Sequence, residues 1–197
     1  MRLTAVSGPM HAEGVLRMIA ILTDEAATRE IDLVRALYDR DGVDLTPPHV
    51  PLVDPFEENT PMADLSEMVK VIVSVHQPFM VELGLPERVY DHDPETEVPQ
   101  LLQMRAVQGG PESQRLSEAL YRDVLPHHRP DFPANSPLQR TAMTIGRFRS
   151  EADADRVVED LREKTYFLVV TQVAILEADD GAWGVQMRMD LGDMIQA

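Results

Sequence analysis

Apolar residues recur along this 197-residue chain in short blocks whose spacing alternates between that of strands and that of helices. Leu16–Leu22 (LRMIAIL) is a compact apolar run of strand length. Asp24 then opens a helix to about Arg40, with Ala27, Ile31, Val34 and Tyr38 at helical spacing and Gly42 at the expected stop. His49–Val53 (HVPLV), introduced by Pro47-Pro48, reads as a second strand. Thr60 and Pro61 have the form of a cap and a first-turn proline, and Leu65, Met68, Ile72 and Val75 predict the apolar stripe of a second helix. Pro78 closes that helix, and Phe79–Leu85 (FMVELGL) reads as a third strand.

Tyr90–Val98 (YDHDPETEV) is acidic, contains Pro94 and reads as an exposed connection. After it the order repeats. Leu101–Val107 is a strand, and Gly109-Gly110-Pro111 leads into a helix through Val124 that turns Leu116, Ala119 and Leu120 inward. Pro126–Arg140 is a proline-rich loop, and Ala142–Phe148 (AMTIGRF) is a strand. Ser150 caps a helix to about Lys164, with Asp153 in the capping-box position. Tyr166–Glu177 and Trp183–Leu191 form a hairpin around Asp179-Asp180-Gly181. Each half thus reads strand, helix, strand, helix, strand, and His49 and Ala142 take equivalent places. The pattern predicts a pseudo-duplicated α+β protein of two lobes, each a small, mainly antiparallel sheet with helices on its outer side. Residues 15–197 form one domain in this reading, with lobes over about 15–90 and 98–197 that can exchange strands, and residues 1–14 are a loose tail.

Composition narrows the chemistry. With 18 Lys+Arg against 34 Asp+Glu the net charge is −16, which argues against long nucleic acid as a partner, since phosphates need a basic surface to neutralise them. A small phosphorylated ligand stays compatible, because a pocket's local charge can oppose the global sign. The absence of cysteine excludes a disulfide framework, thiolate metal ligation and a cysteine nucleophile, and fits a reducing compartment. The first fourteen residues lack the apolar core of a signal peptide, and no segment approaches the roughly 20 apolar residues that span a bilayer. The cytoplasm is the expected location, with no membrane association. There is no phosphate-binding glycine loop, dinucleotide fingerprint or serine elbow.

Two strands carry candidate chemistry. Pro48-His49-Val50-Pro51-Leu52-Val53 and Met143-Thr144-Ile145-Gly146-Arg147-Phe148 resemble the two signature strands of the 2H phosphoesterase superfamily, in its 2′-5′ RNA ligase-like branch. Element order and spacing extend the resemblance from about Val15 to Leu191. Members of that family carry His-x-Thr/Ser once per lobe, on strands that face each other across a cleft. Residues i and i+2 of a strand share a face, so each lobe projects one imidazole and one hydroxyl. The resemblance implies a metal-independent reaction on a 2′,3′-cyclic or 2′-5′ phosphodiester, or its reversal as ligation. One imidazole acts as base, the other as acid, and the hydroxyls stabilise the developing charge. No cofactor is implied.

Carried over residue by residue, the site is half complete. His49 matches the first histidine, but Pro51 stands at the first hydroxyl position and offers neither a hydroxyl nor a backbone N–H. Ala142 stands at the second histidine position and cannot transfer protons, whereas Thr144 keeps the second hydroxyl. Arg147 matches the arginine of the TIGR pattern, although ideal alternation sets it on the face opposite Thr144. His127 and His128, in the loop before the second motif, are the candidates to replace the missing imidazole; both also read as solvated loop residues. A metal site from His127, His128 and Asp131 lacks a completing ligand, and His76 reads as a helix cap or surface residue. The eleven methionines read as core filler. Two functions remain open: a weak or divergent phosphodiesterase, and an inactive family member that binds a nucleotide, another small phosphorylated ligand or a protein partner. An enzyme on some other phosphorylated small molecule is a third, with no residue specific to it.

Overall fold

The computed structural model describes residues 14–39, 46–89, 100–128, 141–148 and 150–193. In chain order the elements are β1 (Val15–Leu22), α1 (Glu25–Tyr38), β2 (His49–Glu58), α2 (Met62–Ser74), β3 (Phe79–Val89) and β4 (Gln100–Gln108). They continue as α3 (Gly110–Asp123), a 3-10 turn (Pro126–His128), β5 (Ala142–Phe148), α4 (Glu151–Asp160), β6 (Tyr166–Val170), β7 (Gln172–Asp179) and β8 (Ala182–Asp190). The strands form two four-stranded antiparallel sheets, one in the order β2-β1-β7-β8 and the other β5-β4-β3-β6. This is the pseudo-duplicated two-lobed α+β architecture that the repeated element order predicts. The connection expected at Tyr90–Val98 and most of the loop at Pro126–Arg140 lie outside the described residues.

Local chemistry explains the element ends. The Asp24 carboxylate accepts from the Ala27 N–H at 2.8 Å and caps α1. Ser150 accepts from the Asp153 N–H at 3.1 Å and donates to the Asp153 carboxylate at 2.7 Å, so α4 has the expected capping pair. Helix α4 stops at Asp160, one turn before Lys164, because the chain tightens at Leu161. Strand β2 continues through Pro51 and Pro55; it is an edge strand, where a missing N–H breaks no interior ladder.

Three expectations are corrected. Pro61, not Thr60, is the N-cap residue of α2, and the Thr60 hydroxyl instead donates to the Glu58 carboxylate at 3.0 Å. The stripe of α2 is rotated: Leu65, Val69 and Val73 are fully buried, while Met68 and Val75 are 40% and 56% exposed. The helix packs against β8 and α3, and the i, i+4, i+8 row faces that contact. The apolar run from Tyr166 to Glu177 is two strands in different sheets. Thr171 and Gln172 are consecutively exposed, which breaks the alternation, and at that point the chain leaves the second sheet and joins the first.

Helices cover one face of each sheet. Helices α2 and α3 lie on β8 and β2, while α1 and α4 lie on the sheet that holds β5. Val50, Leu52, Ile19, Ile21 and Ile175 of the first sheet and Leu102, Met104, Met143 and Ile145 of the second share one buried core with these helices. The opposite faces, which no helix among the described residues covers, carry the alternate residues of the two motif strands. No helix among the described residues is long and apolar enough to cross a membrane.

Candidate functional site

His49 begins β2 and pairs with Leu22 of β1, and Pro51 pairs with Ala20. These four residues therefore share the helix-free face of the first sheet, together with Ala174 and Leu176 of β7. The His49 Nδ1 lies 2.8 Å from the Pro47 carbonyl. A carbonyl only accepts, so Nδ1 carries the proton and Nε2 presents a lone pair. Burial lowers the His49 pKa and the nearby Arg35 charge adds to this, against the raising effect of the Pro47 hydrogen bond. The result is a neutral imidazole oriented by its own loop, which is the form a base or an acceptor requires. Pro51 is exposed on the same face and supplies no donor.

On β5 the register changes the expected geometry. Ala142 lies opposite Arg105, Thr144 opposite Gln103, and Arg147 opposite Leu101. Arg105, Gln103 and Leu101 alternate along β4 and share its helix-free face. A shift between Leu102 and Gln103 inserts one extra residue in β5, a β-bulge within Thr144-Ile145-Gly146. The bulge returns Arg147 to the face of Thr144, where simple alternation would separate them. Gln103 Nε2 donates to the Thr144 hydroxyl oxygen at 3.4 Å, in keeping with the shared face.

A buried guanidinium holds this arrangement. Arg35, on α1 and only 5% exposed, donates from Nε to the Ile145 carbonyl at 2.7 Å and from Nη2 to the Thr144 carbonyl at 3.1 Å. Its Nη1 donates to the Thr46 carbonyl at 2.7 Å, on the approach to His49. One side chain thus joins the bulge of β5 to the entry of β2, with the Asp32 carboxylate 3.8 Å from its Nη1. Beside it, the Asp39 carboxylate accepts from the Arg147 N–H at 2.9 Å. Gly146 makes room for this contact, because a Cβ there would sit 2.9 Å from the Asp39 Oδ2. Neither Arg35 nor Asp39 is visible as a site residue in the motifs. The available signal is that Arg35 stands four residues after Ile31, on a stripe that otherwise selects apolar side chains.

The other histidines lie apart from this arrangement. His76 Nδ1 donates to the Ile72 carbonyl at 2.8 Å and so closes the end of α2. His127 is exposed on the 3-10 turn after α3; Asp131 and the side chain of His128 lie outside the described residues. No group of three or more metal-ligating side chains occurs among the described residues. A recess of about 120 Å³ opens where β6 passes into β7, lined among others by Leu22, Thr23, Val169, Thr171 and Arg188. It adjoins the His49 row through Leu22 and does not reach Thr144.

Two antiparallel lobes, with a histidine on one motif strand and a bulged threonine-arginine strand in the other lobe, define the architecture of a two-lobed phosphoesterase. The family model of the 2′-5′ RNA ligase superfamily matches residues 23–182, and the chain belongs to that superfamily, within the 2H phosphoesterases. E. coli LigT in its apo form shares the fold with a TM-score of 0.57 at 15% identity, covering 91% of this chain and 99% of that one. E. coli LigT complexed with 3′-AMP gives 0.56 at 14% identity over the same shares. TT0787 of Thermus thermophilus gives 0.55 at 15% identity, covering 90% of this chain and 98% of its own. No curated protein matches the sequence.

Proposed function

We propose that the helix-free faces bearing His49 and Thr144 bind a small phosphorylated ligand, a nucleotide or short phosphodiester, and that hydrolysis there is weak or absent. The observation that carries this reading is the β5 bulge, which sets the Thr144 hydroxyl and Arg147 on one face with only the Ala142 methyl where a second imidazole would stand. A hydroxyl and a guanidinium are suited to non-bridging phosphate oxygens. His49 supplies a neutral Nε2 that can accept a proton from an attacking hydroxyl, but Ala142 can return none to a leaving oxygen. Loss of one general acid costs roughly 10²–10⁴ in rate. E. coli LigT, which shares the fold, forms a complex with 3′-AMP and thus offers a first probe. The net charge of −16 favours a small ligand over polymeric RNA, and the lack of cysteine suits a reducing compartment such as the cytoplasm.

The test combines titration calorimetry with 3′-AMP and hydrolysis of 2′,3′-cyclic AMP, for the wild type and for Thr144→Val and His49→Ala. Binding that weakens in Thr144→Val, with little turnover by any form, supports the proposal. Rapid turnover abolished by His49→Ala would instead establish a phosphodiesterase, and absence of binding to either nucleotide would refute the reading.

A further inference from the structure

The position opposite Ala142 is occupied by a cation. Arg105 faces Ala142 directly across the β4–β5 ladder, and Gln103 in turn lies opposite both Thr144 and Glu87. Directly opposed residues have Cβ atoms about 5 Å apart, so Arg105 leaves the sheet beside Ala142, and its guanidinium leans toward Glu87 on the neighbouring strand β3. Arg105 Nη1 pairs with Glu87 Oε2 at 2.9 Å, and the two side chains are 31% and 49% exposed. Its Nε and Nη2 make no hydrogen bond to any described residue. A half-exposed ion pair of this kind contributes little, so a phosphate can exchange for Glu87 readily.

Resting on the ligand-binding reading proposed above, we infer that Arg105 is an anion-binding residue that stands in for the missing second imidazole and selects a terminal phosphomonoester. A guanidinium differs from an imidazole in two ways that matter here. It stays protonated throughout the accessible pH range and returns no proton to a leaving group, so it adds affinity without adding turnover. It also presents a planar fork that grips two phosphate oxygens at once. Arg147 and Arg105 share the face of Thr144, and two positive charges on one face match a dianionic monoester better than a monoanionic diester. Glu87 is then the internal counterion that the ligand displaces.

The affinities of 3′-AMP and 2′,3′-cyclic AMP are compared by calorimetry in the wild type, Arg105→Gln, Glu87→Gln and Thr144→Val, with circular dichroism to verify folding. Wild type is expected to prefer 3′-AMP. Arg105→Gln is expected to lose about tenfold to a hundredfold in 3′-AMP affinity and most of that preference. Glu87→Gln, which leaves Arg105 without its competitor, is expected to bind a few-fold more tightly. Unchanged 3′-AMP binding in Arg105→Gln, alongside a loss in Thr144→Val, overturns the role of Arg105 and keeps the ligand-binding reading. If the wild type binds neither nucleotide, both fall. Weaker rather than tighter binding in Glu87→Gln would also overturn the counterion assignment.

Discussion

Arg35 joins two lobes through one buried side chain. Its fork spans three backbone carbonyls on two lobes, while its charge helps keep His49 neutral. Replacement by Gln removes the charge and part of the fork. The stability loss is expected to be about 3–5 kcal/mol, measured by urea unfolding, because buried acceptors lose their partner. The His49 imidazole is expected to titrate at higher pH in that variant, read by NMR, whereas Arg35→Lys keeps the charge and leaves the His49 titration low. The sign of the linkage follows from the direction of the shift. Folded His49 titrates below its usual 6.5, so the unfolded chain binds more protons under that pH. Its contribution to stability is complete above about pH 6.5 and declines as pH falls toward the folded-state value. His49→Gln is expected to flatten that part of the stability curve, and an unchanged curve would show that His49 is not the group responsible.

At the scale of elements, the β5 bulge and the seating of β2 decide the site. The bulge depends on Gly146, whose missing Cβ admits the Asp39 carboxylate and lies close to the Phe148 ring. Gly146→Ala is expected to cost about 1–3 kcal/mol by overpacking and to weaken 3′-AMP binding, because Arg147 loses its fixed N–H anchor. Strand β2 is held from outside by α3: Ser117 donates to the Leu52 carbonyl at 2.5 Å, and Tyr121 Oη accepts from the Asp54 N–H at 3.0 Å. Burial pushes the Tyr121 phenol up to about 12, so it stays protonated at neutral pH. Tyr121→Phe is expected to lose about 1–2 kcal/mol in chemical denaturation, since the Asp54 amide is left without its acceptor. The capping residues Asp24 and Ser150 were legible in the sequence because they act within four residues. The bulge was not, because alternation along one strand says nothing of how many residues its neighbour opposes to it.

For the whole molecule, a charge of −16 surrounds the face that bears Thr144, Arg147 and Arg105. At about 0.15 M salt the screening length is near 8 Å, so a mononucleotide close to Arg147 and Arg105 senses those arginines, whereas a long polyanion also meets the acidic exterior. A 30-nucleotide single-stranded RNA is expected to show no retardation in gel electrophoresis at micromolar protein in that salt; a clear complex would contradict it. The repeated element order and the two motif strands were determined by the sequence itself, since periodicity, caps and residue identity are local properties of the chain. Tertiary structure alone decided that β6 and β7 part at Thr171 into different sheets, that α1 lies over β5, and that a bulge gathers Thr144 with Arg147. It also decided that Arg35 ties the β5 bulge to the approach to His49 and that Arg105 pairs opposite Ala142, because such contacts join positions far apart in sequence and depend on register and packing rather than on any pattern within one segment.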